Sequence, residues 1–584
     1  MNTKTMIENT LGKTKADIIL KGGLVANVLT RELLKLDVVV TDRYITYIGN
    51  VTSDYVGKKT SIIDVTGRII CPGLIESHIH VESSMLSVTE FSRAVIPHGT
   101  TTCVIDPHEL VNVTGIPGLE VFLEQTKKSP IRFLVEAPSC VPSLPGFETS
   151  GSNLDSVAIT KLMERDDIFA LAEMMNYPGV IYANEDVLAK LDAAKKAGKM
   201  IEGHAPLLKG KELQAYIAAG ITSDHEASSA DEVLEKLRLG MKVQVREGSF
   251  AKDMLNIFQK LKDLLIDTRN ILIASDDRNP IDLHEKGHLD HSFRLAVQTG
   301  MDSLTVLQML TYNPATHLGL SDEIGSIAPG KFADLIVVDN LKDFNVLTTI
   351  AKGKILFENG KLTTVLKEEN YPKFVTNTMR NMQIPQLLDI MIHVSEKESV
   401  RVRTIGLNEH SLITDSLIFE LEVKENYVVP DLKNDILPVI VVNRHTNEIN
   451  IGKGFVKGLG IRNGAIASTI AHDCHQLICV GTNYNLMIEA IRELKEANGG
   501  LVVVTKQQNM VLPLQFAGIM SVKRYEDVIL DFRKLKKTLD ILQSQLSDPF
   551  MALAFIALPV IPHLKLTDQG LVDVDKFEFT NVLV

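Results

Sequence analysis

From about residue 71 to residue 320 the chain repeats one pattern: a short apolar run, a polar residue at its end, then a segment with apolar residues at helical spacing. The stretches "TTCVIDP", "IRFLVEAPS", "IFALAEMMNYP", "KMIEGHAP", "GITSDHEAS" and "KVQVREGS" read as buried strands. Between them, "SVAITKLMERD", "NEDVLAKLDAAKKAGK" and "ADEVLEKLRLG" carry helical periodicity. Strand followed by helix, sustained over roughly 250 residues, predicts an α/β fold of the (β/α)8 barrel type, with a doubly wound sheet as the competing architecture.

The flanks differ in texture. Residues 1–15 are polar and are expected to form a flexible tail. Residues 16–70 are short β-rich runs with a Gly22-Gly23 break, and the same texture returns in "IGSIAPGKFADLIVVD" and "NVLTTIAKGKILFENGK". The expectation is a small composite β domain built from 16–70 and 321–370, on either side of a catalytic barrel over 71–320. Residues 371–584 mix strands ("ILPVIVVNRH", "GGLVVVTK") with helices ("YNLMIEAIRELKEANG"), which predicts a C-terminal α/β domain.

A chain of 584 residues exceeds what one core can serve. Its net charge of −12 and the lack of a basic aromatic platform exclude nucleic acid as a partner. The longest apolar stretch, "PFMALAFIALPVIP", is far short of a membrane span, so no membrane partner is expected. Five cysteines with no CxxC pair fit free thiols in a cytoplasmic protein. The C-terminal region offers ample surface for self-association, and a homo-oligomer, a dimer or higher, is expected.

In a barrel, catalytic residues gather at the C-terminal ends of the strands. Here those ends carry His78 and His80, Asp106 and His108, Glu173, His204, His225, and Asp276 with Asp277. In "LIESHIHVESS" the two histidines stand two residues apart, so a strand presents both on one face. Imidazoles and carboxylates without cysteine suit divalent Zn, Mn or Fe. A Glu173 carboxylate can offer one oxygen to each of two ions, and such ions lower the pKa of water towards neutrality. Asp276 is the candidate ligand and proton shuttle.

"PGLIESHIH", the strand-end His204 and His225, and the Asp of "ASDDR" resemble the amidohydrolase superfamily of metal-dependent (β/α)8 hydrolases. With Glu173 where many members carry a carboxylated lysine, the motifs "AEMMNYPGV", "DPHE", "EGHAP", "SDHE", "SDDR" and "TIAHDCHQLICVGTN" are similar to those of the bacterial and archaeal adenine deaminases within it. The resemblance covers nearly the whole chain after about residue 16. It implies His78, His80, Glu173, His204, His225 and Asp276 as metal ligands, with Glu173 and Asp276 catalytic. It also implies two divalent ions per subunit (Mn or Fe favoured, Zn possible) and a small-molecule purine substrate hydrolysed to hypoxanthine and ammonia. The alternatives are an amidohydrolase acting on another aminopurine or a cyclic amide, and an inactive barrel scaffold; loss of ligands would be expected of a scaffold, and all six are present.

Other features have weaker assignments. Asp106, His108, Glu109 and Asp277 are expected to contact substrate or support the ligands. "APSCVPSLPGFETSG" reads as a shaped loop over the active-site face, with Cys140 a buried thiol. His284, His288 and His291 read as exposed residues of a loop entering a helix, with a supporting role near the site as the alternative. "GKGFVKGLGIRNGAIAS" reads as turns. "AHDCHQ", with His472, Asp473 and His475, is a second metal site, a structural network or a loop docked near the active-site mouth, the last being the favoured reading.

Overall fold

The apolar runs that end in polar residues become eight parallel strands in the computed structural model, which describes residues 2–367, 370–408 and 412–584. They are β1 (Leu74–Ile79), β2 (Thr100–Ile105), β3 (Arg132–Val135), β4 (Leu171–Met174), β5 (Ile201–Gly203), β6 (Ser223–Asp224), β7 (Lys242–Arg246) and β8 (Ile271–Ala274). Three ladders, β1–β2–β3, β4–β5 and β6–β7–β8, are parallel throughout. Backbone contacts join them into a closed ring. Ala137 bridges Leu171, and the Thr222 N–H donates to the Ile201 carbonyl at 3.0 Å. At the last seam the Asp276 N–H donates to the His78 carbonyl (3.1 Å) and the His80 N–H to the Asp276 carbonyl (3.0 Å). Helices follow the strands around the outside, so the closed barrel, not the doubly wound sheet, is the architecture.

Strands from the two flanks share a sheet. Leu335–Val338 pairs antiparallel with Ile69–Pro72, and Leu24–Asn27 runs parallel to Ile69–Pro72 on its other edge. Val25, Ile70 and Val337 of these strands, with Val38 and Val40 of the strand Asp37–Thr41 in a neighbouring sheet, are buried in a core of their own. The expected flexible tail is corrected in part: Thr3–Thr10 is a helix, although residue 1 lies outside the described residues. Asn2 caps that helix by accepting the Thr5 N–H (2.9 Å), and the Tyr55 hydroxyl donates to the Thr10 carbonyl (2.5 Å), which docks its end.

The C-terminal region is built on a nine-stranded sheet. Its central strands, Ile436–Val442, Leu477–Gly481, Gly464–Ser468 and Gly500–Thr505, are buried on both faces, and alternate residues go to different cores. Ile440, Val442, Ala467, Leu477 and Val504 pack with the helix Tyr484–Glu496. Their neighbours Val439, Val441, Ile466, Ile478 and Val503 join a core that continues into barrel residues such as Leu110, Val111 and Phe122. The glycine-rich stretch expected as turns is mostly strand, Ile451–Lys457 and Gly464–Ser468. Its Gly452 permits close packing, because a Cβ there would lie 1.7 Å from the Thr567 carbonyl oxygen. Among the described residues no helix is long and apolar enough to cross a membrane.

Because one apolar core runs through both the barrel and the C-terminal sheet, the two should unfold together. Phe516, fully buried in that core, tests this. Phe516→Ala should cost about 3–5 kcal/mol, and calorimetry should show a single shifted transition. A barrel transition that stays in place while a second one moves would mean two independent cores.

Candidate metal centre and active site

Strand geometry alone aims the ligands. Residues two apart face the same way, so His78 and His80 both point into the barrel mouth, with Nε2 atoms 3.2 Å apart. Glu173, at the end of β4, reaches across to them. Its Oε1 lies 3.4 Å from His80 Nε2, while its Oε2 lies 2.7 Å from His204 Nδ1 and 3.1 Å from His225 Nε2. Asp276 closes the group, its Oδ1 3.3 Å from His80 Nε2 and 3.7 Å from His78 Nε2. All six residues expected as ligands therefore meet in one cluster. The two oxygens of Glu173 face two different sets of imidazoles.

The donor set fits a divalent cation. His80 Nδ1 lies 3.0 Å from the Asp106 carbonyl oxygen, which can only accept, so the proton sits on Nδ1 and the Nε2 lone pair is free to ligate. Burial opposes charge on every member. Yet the His204 and His225 imidazoles hold Glu173 well below the usual carboxylate range, and His80, Arg246 and His225 do the same for Asp276. Against burial and His108, the Asp276 and Glu173 carboxylates push His80 well above its ordinary value. The pocket thus calls for positive charge between its carboxylates, which a bound divalent ion supplies. Asp276 also holds a left-handed backbone conformation (φ 59°), a strained geometry that a functional position can retain.

The remaining expected residues divide by place. Asp106 Oδ2 lies 3.2 Å from His108 Nδ1, so it steadies His108 while its carbonyl orients His80. His108, Glu109 and Asp277 line the cavity over the cluster. Burial and Asp276 push Asp277 up to about 7. His472 and Asp473 line the same cavity from the C-terminal domain, whereas His475 turns away to put Nε2 3.1 Å from Glu109 Oε2. The loop with Cys140 reaches that domain too: the Thr149 N–H donates to Asp568 Oδ1 at 3.0 Å. Cys140 is buried, and burial pushes its thiol up.

The expectation of exposed histidines at 284–291 is corrected for His288. It is fully buried, 2.7 Å from Thr100 Oγ1 through Nδ1 and 3.1 Å from Glu76 Oε2 through Nε2. A helix-entry loop that folds under the barrel needs such a polar plug for the buried Glu76 carboxylate.

Several site residues escaped the sequence reading. Arg246, at the end of β7, lies 3.0 Å from Asp276 Oδ2 and pairs with Glu226. Tyr216 accepts the His204 N–H (2.9 Å) and donates to the Met174 carbonyl (2.7 Å), locking the ends of β4 and β5. The Asp224–Lys236 ion pair (2.7 Å) is fully buried, and Asp224 Oδ1 accepts the Ala205 N–H, which fixes the backbone after His204. Glu202 carried a readable signal: it stands two residues before His204, on the inward face.

A barrel closed around strand-end imidazoles and carboxylates defines a hydrolase of the metal-binding barrel class. The model of the amidohydrolase family matches residues 69–356, and that of the adenine deaminase C-terminal domain matches residues 411–578. A protein named adenine deaminase from Brucella anthropi is 40% identical over 576 residues, covering 98% of this chain and 99% of its own. One of that name from Methanothrix thermoacetophila is 39% identical over 584 residues, covering 99% of both chains. Another, from Clostridium botulinum (strain Langeland), is 38% identical over 587 residues, covering 100% of this chain and 98% of its own. Among solved structures, a beta-aspartyl dipeptidase from Fervidobacterium islandicum aligns over 60% of this chain and 98% of that one, at 18% identity and a TM-score of 0.45. Over its full length, the chain belongs to the adenine deaminase family of hydrolases acting on C–N bonds.

If Glu173 serves both halves of the cluster, Glu173→Gln should sharply lower bound metal per chain, measured by emission spectroscopy, with far-UV circular dichroism unchanged. Full metal occupancy in that variant would remove the bridging role.

Proposed function

We propose that this protein hydrolyses adenine to hypoxanthine and ammonia with two divalent ions at the barrel mouth. The observation that carries the reading is Glu173, whose two oxygens face separate groups of imidazoles. His78, His80 and Asp276 would hold one ion and His204 and His225 the other, with Glu173 between them. Mn or Fe is favoured by the family resemblance. When bound, such ions lower the pKa of water towards neutrality and stabilise developing negative charge.

The chain's own residues then manage position and protons. The reaction adds the water oxygen to C6 and breaks the bond from C6 to the exocyclic nitrogen. Of the two water protons, one leaves with the amine as ammonia and one remains on ring nitrogen N1 of hypoxanthine. Asp276 is the carboxylate placed to carry a proton between the attacking oxygen and the departing nitrogen. Arg246 on its Oδ2 leaves Oδ1 directed at the imidazoles, which fixes the orientation of the shuttle. His108 and Glu109, which line the same cavity, bound the space offered to the ring. The five cysteines, all buried and unpaired, fit action in the cytoplasm.

Ammonia release from Mn-reconstituted protein, followed with adenine, adenosine, cytosine and dihydropyrimidine amides, tests the reading. Adenine should be the substrate turned over; a preference for a dihydropyrimidine amide would overturn it. Asp276→Asn keeps the side-chain volume but removes the base. It should lower turnover about 10²- to 10⁴-fold while much of the metal is retained. An unchanged rate would assign the proton transfer elsewhere.

A further inference from the structure

The wall of the cavity opposite the ligands comes from the C-terminal domain and is mostly apolar, with Leu412, Phe555, Leu558 and Ile561. Two polar side chains interrupt it, His472 and Asp473, and both are more than nine-tenths buried. Neither is fully satisfied among the described residues. His472 Nε2 and Asp473 Oδ2 are buried atoms with no hydrogen-bond partner among the described residues. Polar atoms in that condition cost free energy unless something meets them.

Their surroundings hold them in place. Asp473 Oδ1 lies 3.7 Å from His108 Nε2 and 3.6 Å from His472 Nδ1, which leaves Oδ2 as the free oxygen. The His472 ring stacks on Phe555 at 4.7 Å with an interplanar angle of 13°. Behind the loop, the fully buried Arg444 donates to the His475 carbonyl, and its N–H donates to Gln476 Oε1 at 2.8 Å. His108 in turn packs edge-on against the ligand His80, with ring centroids 4.6 Å apart. The loop therefore stands one imidazole, His108, away from the ligand cluster and lines the same cavity.

We propose that His472 and Asp473 bind the N3–N9 edge of an unsubstituted purine, Asp473 accepting the N9–H and His472 donating to N3. That edge is the one farthest from C6, so a base with C6 at the ligand cluster turns it towards the C-terminal wall. It offers one donor and one acceptor side by side, the complement of a carboxylate next to an imidazole. A substituent on N9 removes the donor and adds bulk against the apolar roof. The pair thereby selects free base over nucleoside. The inference rests on adenine as the substrate and adds the residues that recognise it.

The test is a substrate-edited cycle on the full-length, Mn-loaded protein. Wild type, Asp473→Leu, Asp473→Ala and His472→Phe are assayed for ammonia release from adenine, 9-methyladenine and 3-deazaadenine, with inhibition constants used where turnover is undetectable. Metal content and Tm are measured for each. Loss of the Asp473 acceptor should lower kcat/KM for adenine about 10- to 100-fold, mainly through KM, with metal content unchanged and no matching loss for 9-methyladenine. His472→Phe should do the same for adenine and spare 3-deazaadenine. Equal losses on every substrate, or no loss on adenine in the Ala variant, would overturn the inference; Asp473→Leu, of similar size and without an acceptor, decides if the Ala variant does not fold. Wild type releasing no ammonia from adenine would instead refute the deaminase reading itself.

Discussion

A carboxylate removed from water sits among four imidazoles: Glu173 approaches His204, His225, His80 and His108 at 2.7 to 3.6 Å. Burying such a group is unfavourable unless opposite charge and hydrogen bonds compensate. Here the compensating groups come from β1, β2, β5 and β6 or the residues just after them. The pairing therefore ties strands that are far apart in sequence to one point. A barrel whose strands slipped by one residue would turn these side chains to the outer face and leave Glu173 buried alone. The electrostatics of the centre and the register of the barrel are thus one constraint.

A second polar tier beneath the centre follows from the same period of two. Glu76 stands below His78, Glu202 below His204 and Gln244 below Arg246. Each is buried and anchored: Glu76 accepts the Ser275 N–H at 3.1 Å and meets His288, and Glu202 lies 2.7 Å from His317 Nε2. Polar and charged groups that should be rare in a core are here stacked two deep, and Glu76 Oε1 accepts the N–H of His78 above it at 3.2 Å. This explains why the helices after β8 matter to the site although they do not line the cavity over the cluster: His288 and His317 come from them.

How much of this could be read in the chain depended on how local each signal was. The barrel strands and all six centre residues were legible because each apolar run ends in its own functional residue, and position at a strand end needs no knowledge of partners. Arg246 was missed because an Arg after "KVQV" looks like an ordinary strand exit until Asp276 is brought beside it. His288 was misread because its partner Glu76 lies more than two hundred residues away, and hydrophilic sequence around a lone His mimics a surface loop. The helix Thr3–Thr10 was missed because its stability comes from the Asn2 cap and from contact with Tyr55, not from an apolar face. In "GKGFVKG" the glycines suggested turns, yet Gly452 is needed to let another segment's backbone approach. Side chains that report their own role are visible in sequence; those whose role is set by a distant neighbour are not.

The C-terminal domain belongs to this second kind. Taken alone, "AHDCHQ" could be an internal network, and in part it is one, since His475 pairs with Glu109 under the cover of Arg444. But Glu109 belongs to the barrel, one residue from His108 at the cavity wall. The structural network and the active-site wall are therefore continuous: the His475–Glu109 contact between domain and barrel lies in the same loop that carries His472 and Asp473. Docking energy and site geometry come from the same contacts. A domain that merely covered the barrel would be expected to meet it with apolar surface throughout. This one brings a buried carboxylate and imidazole to the cavity with hydrogen-bonding atoms still free. Since buried polar atoms in folded proteins nearly always find a partner, the partner they are built to meet is one that enters the cavity.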